Sequence, residues 1–205
     1  MARVKLHRIF VIVLAALGLL VSLPAAAQYQ SEGYTFLQAV KNREGTEATE
    51  LLRKPGSTVV NARDISSGET GLHLVAQRRD LTWMKWLIQE GANPNVADKN
   101  GITPLIIVTR LGWIEGIAPL IEAGANVDVA NNTGETPLIA AVHARNIDLI
   151  EALLAVGANP DRTDNTGRSA RDYANERGTT DRVALVIQQN QKSDADKKSV
   201  YGPSF

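Results

Sequence analysis

The sequence predicts an all-α solenoid in which helix-turn-helix units stack side by side and are joined by β-turn or hairpin fingers. Self-similarity at a fixed period is the main observation. Two independent markers recur every 33 residues: single glycines at Gly68, Gly101, Gly134 and Gly167, and Gly-Ala-Asn sequences starting at Gly91, Gly124 and Gly157. The apolar stretches between these markers are too short to bury themselves, so neighbouring units must cover one another.

The unit that starts at residue 98 shows the expected order of elements. The segment 98–101 (Asp-Lys-Asn-Gly) predicts a tight turn, because Asp can accept turn amides and Gly accepts a positive φ. Thr103 and Pro104 suit the N-cap and first residue of a first helix. A second apolar stretch, 114–121, predicts a second helix that Gly124 terminates.

The N-terminus has the three parts of a secretory signal peptide. Arg3, Lys5 and Arg8 precede an apolar run over 9–23, and three alanines then end at Ala27. The run is shorter than the ~20 residues of a membrane-spanning helix. We therefore predict cleavage after Ala27 and a periplasmic mature protein, since the junction is typical of bacteria. An uncleaved N-terminal anchor is the alternative.

The composition excludes several classes of protein. Lys+Arg and Asp+Glu number 22 each, so removing residues 1–27 leaves three more acidic than basic residues. This balance is unlike that of a nucleic-acid binder, which carries a basic face. The chain has no cysteine. Disulfides, cysteine-ligated metals, a cysteine nucleophile and a lipidated cysteine are therefore excluded.

The 33-residue period, the Thr-Pro-Leu starts at Thr103 and Thr136, the Gly-Ala-Asn endings and the Asp-x-x-Gly turns together resemble the ankyrin repeat. The likeness to small secreted bacterial proteins of this type covers nearly all of the predicted mature chain. It implies an ankyrin stack over 28–190 with about five repeats, including polar N- and C-terminal caps. We place the units at about 31–63, 64–97, 98–130, 131–163 and 164–190, between the signal peptide 1–27 and a polar, disordered tail 191–205.

Two departures from the regular repeat concern the backbone. The loop 57–67 has one extra residue on each side of Asn61, so it should project further than the other fingers. Slack at the cap junction is favoured over tuning for a ligand. Pro119 falls inside the second helix of unit three and should kink it, which would make this unit the softest part of the stack.

Four side chains need a separate interpretation. The resemblance implies that His73 forms a hydrogen bond near the threonine of its own unit and stiffens the turn. Trp83 and Trp86 are interpreted as packing between units, with ligand docking as the alternative. Trp113 lies in an inter-helix turn and is expected to be partly exposed.

The sequence contains no recognisable active site. Phosphate-binding loops, nucleophile elbows and His-Glu-x-x-His motifs are absent. His73 and His143 lie two units apart, about 20 Å if stacked helices are separated by roughly 10 Å, so they cannot share a metal. We expect no catalytic residues, no metal and no cofactor.

The resemblance implies a rigid concave face, formed by finger tips and first helices, that binds another protein. Framework positions leave other residues free for this role, among which Arg110 and Arg78 should contribute most. The candidate contact residues are Glu69, Gln77, Arg78, Lys99, Asn100, Ile102, Arg110, Trp113, Asn132, Thr133, Glu135, His143, Asn165, Thr166 and Arg168.

The expected partner is an unidentified client protein, with no nucleic acid and no membrane span after signal cleavage, and the chain should be monomeric because both caps are polar. An envelope-structural protein that binds peptidoglycan or an outer-membrane protein is the main alternative. An enzyme with an unrecognised site and an interaction with another cell remain open.

Overall fold

The computed structural model describes residues 31–176 and 178–190, so the predicted signal peptide and tail lie outside the described part. The described residues form pairs of short antiparallel helices and contain no β-strand, which confirms the predicted all-α solenoid. The pairs are α1 (Glu32–Asn42) and α2 (Gly45–Arg53), α3 (Gly71–Gln77) and α4 (Leu81–Gln89), α5 (Pro104–Arg110) and α6 (Ile117–Glu122), α7 (Pro137–His143) and α8 (Ile147–Ala155), and α9 (Ala170–Asn175) and α10, which is helical over 182–190.

Short polar side chains cap the starts of four helices, whereas Thr103 stands at the N-cap of α5 without a side-chain cap. Thr136 and Ser169 accept backbone N–H groups in the first turns of α7 and α9. Asp80 and Asn146 do the same for the second helices α4 and α8. Each cap satisfies amides that the helix itself leaves without a partner.

The core lies between the units. Each first helix packs against the first helices of its neighbours, and each second helix packs against its own first helix. Equivalent leucines at 33-residue intervals are buried: Leu72, Leu105 and Leu138 in the first helices, and Leu87, Leu120 and Leu153 in the second helices. Burial of a leucine side chain contributes about 1.5–3 kcal/mol, and here nearly every such contribution requires an adjacent unit.

Hydrogen bonds join successive fingers. The backbone N–H of Lys99 donates to the Ser67 carbonyl (2.9 Å), and those of Asn132 and Asn165 donate to the carbonyls of Asn100 and Thr133 (3.0 and 3.2 Å). Gly134 illustrates the closeness of this stacking, because it has a φ of 82° and a Cβ there would collide with Asn165. The fingers therefore form a continuous ladder.

A second ladder joins the loops behind the second helices. The side chains of Asn61, Asn95 and Asp128 accept the backbone N–H of Asn93, Asn126 and Asn159, respectively, at 2.7–2.8 Å.

The ladder ends at Asp161, which occupies the next equivalent position. Asp161 instead binds the guanidinium of Arg171 through both oxygens (2.6 and 3.2 Å). This ion pair lowers the pKa of Asp161. Arg171 stands where other units have leucine, so the terminal unit satisfies the end of the ladder with its own side chain.

The second helix of unit three differs from the sequence prediction. A 3-10 turn, Ile114–Gly116, is followed by α6, so Pro119 lies in the first helical turn and does not kink a longer helix. Amides of the first turn have no partner within the helix, so Pro119 costs none of the helix's own hydrogen bonds. Trp113 stands where α4 and α8 have the capping residues Asp80 and Asn146, and it makes no side-chain cap. The late helix start follows from this missing cap.

The first finger contains the extra residues that the spacing predicted. One is accommodated in the 3-10 turn Val59–Asn61, whose Val59 is buried in the core. The other widens the finger, because the Gly68 N–H reaches back four residues to Asp64, whereas later fingers close over three. Ile65 is consequently 88% exposed at the finger tip.

Candidate partner-binding face

The concave face carries three rows of equivalent residues, with one residue from each of units two to five at 33-residue intervals. The finger row lies before each first helix, the middle row lies on the helix, and the end row lies at its last turn. The finger row is Glu69, Ile102, Glu135 and Arg168; the middle row is Leu74, Ile107, Ala140 and Tyr173; the end row is Gln77, Arg110, His143 and Glu176.

Charged groups of the finger and end rows pair with each other. Arg110 of unit three binds Glu135 of unit four, and Arg168 binds Glu176 within unit five. Gln77 donates to Glu69 in unit two. The ring nitrogen Nδ1 of His143 lies 3.8 Å from Glu135. Predicted contact residues are thus brought together, but as mutual partners, so the face is internally neutralised.

The middle row remains apolar between these pairs. Leu74 and Ile107 are half-buried side chains that pack against the core. Tyr173 was not among the predicted contact residues, yet its ring lies under the Arg168 guanidinium (4.1 Å) and edge-on to His143 (4.5 Å). Its equivalence to Leu74, Ile107 and Ala140 could have identified it from the spacing alone.

Several predicted finger residues are exposed and also serve the ladder. Side-chain amides of Asn132 and Asn165 donate to the carbonyls of Lys99 and Asn132, each in the preceding finger. The ammonium of Lys99 donates to the Ile65 carbonyl (2.7 Å). Thr133 and Thr166 are exposed, and their hydroxyls bind the first residue of their own turns. Asn100 is exposed in the preceding finger, 98–101.

The carboxylates of the finger turns accept several hydrogen bonds, which lower their pKa values. Hydrogen bonds from Ser66 and Ser67 lower the pKa of Asp64 to about 2. Asp164 accepts from the Tyr173 hydroxyl (2.6 Å) and from Thr166, and its pKa is lowered mainly by the bond from Tyr173. These groups stay ionised near neutral pH and stabilise the finger conformation.

Arg78, predicted as a strong partner contact, is half-buried and bound to the preceding unit, so its contact with a partner stays a prediction. Its guanidinium lies 5.4 Å over the Trp83 ring and donates to the carbonyls of Val40 and Lys41, at the C-terminal end of α1. It also binds Asp80 at 3.2 Å. Burial lowers its pKa. Arg78 therefore caps a helix of the preceding unit, and its charge satisfies carbonyls that the helix leaves without partners.

Two expectations of exposure were wrong. Trp113 is only 7% exposed, because its ring packs against Gly116 beneath the short α6. Ile102, expected to be the exposed apolar residue, is half-buried, and its carbonyl accepts the Nε2–H of His73 (2.9 Å). The exposed apolar residue of the fingers is Ile65, whose position depends on the wider first turn.

His73 has the structural role that the resemblance implied. Its Nδ1 accepts the backbone N–H of Thr70 at 3.1 Å and lies 2.8 Å from the Thr70 hydroxyl. Since Nδ1 is an acceptor, Nε2 carries the proton that bonds to Ile102 of the next unit. Burial lowers the pKa of His73 and favours this neutral form.

Trp83 and Trp86 only partly fulfil the packing prediction. Both are half-buried, pack against the core and meet edge to face at 4.9 Å. They also line a groove between α2 and α4 on the side of the second helices.

Within residues 31–176 and 178–190, no cluster of three or more histidine or carboxylate side chains is arranged to hold a metal ion. Over the same residues, no helix is both long enough and apolar enough to cross a membrane.

Comparison with known proteins agrees with this architecture. A family model described as "Ankyrin repeats (3 copies)" matches residues 36–131, 72–164 and 114–199. Oxysterol-binding protein homolog 1 of Saccharomyces cerevisiae is 29% identical over 79 residues, which make up 37% of this chain and 7% of that protein. The chain thus matches only a small part of the length of this relative.

Proposed function

The chain belongs to the ankyrin repeat family, whose members generally bind proteins and are not catalysts, and from this premise we propose that it is a non-catalytic scaffold of the bacterial periplasm. In this proposal a client protein lies along the concave face, in contact with the finger tips and the first helices. The sequence features that support the location are the charged start, apolar run and Ala27 junction of the N-terminus.

The observation that carries the proposal is the pairing of charges around an apolar middle row. Arg110 with Glu135 and Arg168 with Glu176 leave no large net charge on the face. Between them, side chains such as Ile107 and Tyr173 remain partly accessible. An apolar centre with a polar, hydrogen-bonding rim is the usual anatomy of a protein–protein interface. The client should therefore present an apolar segment flanked by polar groups.

Arg110 is the residue on which this proposal can be tested most directly. It is exposed, belongs to the end row and binds Glu135 of the adjacent unit. Arg110→Ala together with Lys99→Glu should weaken client binding at least tenfold, because Arg is frequent among energetically dominant contacts. Unchanged affinity would show that the client binds elsewhere.

Photo-crosslinking would identify the client. A crosslinker at position 110 of the exported protein is compared with one at position 151, an exposed residue of α8 in the second-helix layer. The proposal expects one dominant protein captured from position 110 alone. Equal capture from both positions contradicts binding through the concave face.

Periplasmic location needs its own measurement, because a correct binding face would not establish the compartment. The protein recovered from the periplasmic fraction of the native host should have the intact mass of a chain that begins at Gln28. A chain of full length in the membrane fraction would instead support the uncleaved anchor.

An envelope-structural role, in which the chain binds peptidoglycan or an outer-membrane protein, predicts a different result. The protein would then sediment with purified murein sacculi, and loss of residues 191–205 would abolish this. A client scaffold should stay in the supernatant and retain binding without that segment.

A further inference from the structure

A groove on the side of the second helices is separate from the concave face. We call it the back groove; it lies between α2 and α4, has a volume of about 360 Å³ and is lined by Gly45, Thr49, Thr82, Trp83 and Trp86. Similar clefts occur between other second helices, for example between α4 and α6, where Lys85, Ile88 and Pro119 form part of the lining. The back groove combines two indole rings, which the cleft between α4 and α6 lacks.

The groove is open at Gly45, although the backbone conformation there does not require glycine. Gly45 is the first residue of α2 and does not adopt a positive φ. A Cβ at Gly45 would come no closer than 4.0 Å to its nearest neighbour, the ring atom Cζ2 of Trp83. This is ordinary van der Waals contact, so neither strain nor collision requires glycine here. Because Gly45 has no side chain, the edge of the Trp83 ring stays uncovered.

Three carboxylates border the open end of the back groove. Glu44, Glu47 and Glu50 are exposed and line a cleft that shares Gly45 with the groove. A hydrogen bond to Glu44, followed by slight desolvation and the charges of Glu44 and Glu50, raises the pKa of Glu47. The carboxylates therefore destabilise one another, and a bound cation would relieve this.

Nearby cations of the chain neutralise this cluster only in part, because Arg43 and Arg78 share the single carboxylate of Asp80 and leave one positive charge beside three carboxylates. Arg43 in the same cleft binds Asp80 at 3.0 Å. Lys54 binds Glu32 at 2.7 Å. Arg53 lies in the last turn of α2, at the opposite end of the helix from Gly45. The end of the groove near Gly45 thus has an excess of negative charge beside indole rings.

We propose that the back groove is a second docking site, which binds a basic segment of a partner protein by taking an arginine or lysine side chain against Trp86 and the part of the Trp83 ring that Arg78 does not cover. Indole rings attract cations through their π-electron faces. The adjacent carboxylates add charge attraction. The apolar stem of the same side chain would cover the ring surface that Gly45 leaves exposed. The site would work independently of the concave face.

The experiment uses the predicted mature chain, residues 28–205, and two synthetic nine-residue Gly/Ser peptides, one with two arginines and one with two glutamates. Indole N–H resonances report binding, with Trp113 as an internal reference because it is buried. The arginine peptide should shift Trp83 and Trp86 in a saturable manner and leave Trp113 unchanged. The glutamate peptide should shift none of them.

Gly45→Ala separates docking from stability. Alanine favours the helix over glycine, so the melting temperature should stay equal or rise, while affinity for the arginine peptide falls at least fivefold. Glu47→Gln with Glu50→Gln should cause a similar loss. Glu122→Gln is the matched control, since it removes a carboxylate from the cleft between α4 and α6 and should leave affinity unchanged.

Three outcomes would overturn the proposal. They are the absence of a saturable shift up to about 10 mM arginine peptide, equal shifts with both peptides, and undiminished affinity in the Gly45→Ala variant. Concentration-dependent shifts without peptide would show that a second copy of the chain occupies the groove. Loss of peptide binding in the Glu122→Gln variant would show that the peptide is attracted by the overall charge of the surface and not by the back groove.

Discussion

The ring of Trp113 lies against Gly116, with its Cε3 atom 2.7 Å from the position that a Cβ on Gly116 would occupy. Real Cβ atoms do not tolerate this distance, so the buried indole and the glycine depend on each other. Trp113 stands at the position where α4 and α8 have an Asp or Asn cap. Unit three has therefore exchanged a helix cap for a packed aromatic ring.

Gly116→Ala should destabilise the protein by about 1–3 kcal/mol, as is usual for an overpacked core. In a Trp113→Asn background the same change should cost nothing measurable, because the colliding ring is gone and Asn can cap the helix as Asn146 does. Urea unfolding of the four variants of this cycle provides the measurement. An equal cost in both backgrounds would mean that the ring does not limit position 116.

The helix α6 should open before its equivalent α8. It has six residues, follows a 3-10 turn and has no side-chain cap, whereas α8 has nine residues and the Asn146 cap. Native-state hydrogen exchange should show faster exchange for Ile117–Glu122 than for 149–154. Equal protection would show that neighbouring units compensate fully for the missing cap.

Arginines occupy the left-handed conformation in the inter-helix turns. Arg145 has a φ of 52° and binds both oxygens of Asp181 in the next unit, whereas Gly112 occupies the equivalent position in unit three. Arg145→Ala should be less stable than Arg145→Gly by about 0.5–1 kcal/mol, because both lose the ion pair but only alanine retains the strain. Thermal unfolding measures the difference. The reverse order of stability would show that the turn does not enforce this conformation.

Stability should depend on pH through His73. Burial holds its pKa below the ordinary value of 6.5, so the unfolded chain binds the proton more readily. Its contribution is therefore complete above pH 6.5 and is lost as the pH falls below that value. Protonation of Nδ1 would remove the acceptor for the Thr70 N–H.

His73→Gln should lower stability at pH 7.5 and flatten its decrease between pH 6.5 and 5. Urea unfolding across that range measures both effects. Asp64, with a pKa of about 2 against an ordinary 3.8, loses its contribution only at lower pH and does not overlap this window. An unchanged slope in the variant would assign the dependence to another group.

The residues that the sequence predicted most reliably act within their own unit. Pro104, the first residue of α5, Asp98 in its turn and His73 beside Thr70 need only a few neighbouring residues to define their roles. Because the unit repeats, the same local sequence signals occur several times along the chain. These repeated signals were sufficient to predict the fold.

The candidate site could be predicted only in part. The spacing alone places Arg110, Glu135 and His143 on one face, but it does not show that Arg110 binds Glu135. That pairing depends on the offset between adjacent units, a distance set by packing of the first helices. Tyr173 was overlooked although its position in the middle row is equally regular.

Sequence by itself determined the repeat, most of the helix starts and the face on which the candidate contact residues lie, because these depend on local backbone chemistry and on period. Tertiary structure alone decided which of those residues remain accessible. The guanidinium of Arg78 is held at the carbonyls of Val40 and Lys41, and the ring of Trp113 is buried over Gly116. Each outcome depends on unpaired polar groups or free volume supplied by another turn or unit, and no local pattern encodes either quantity.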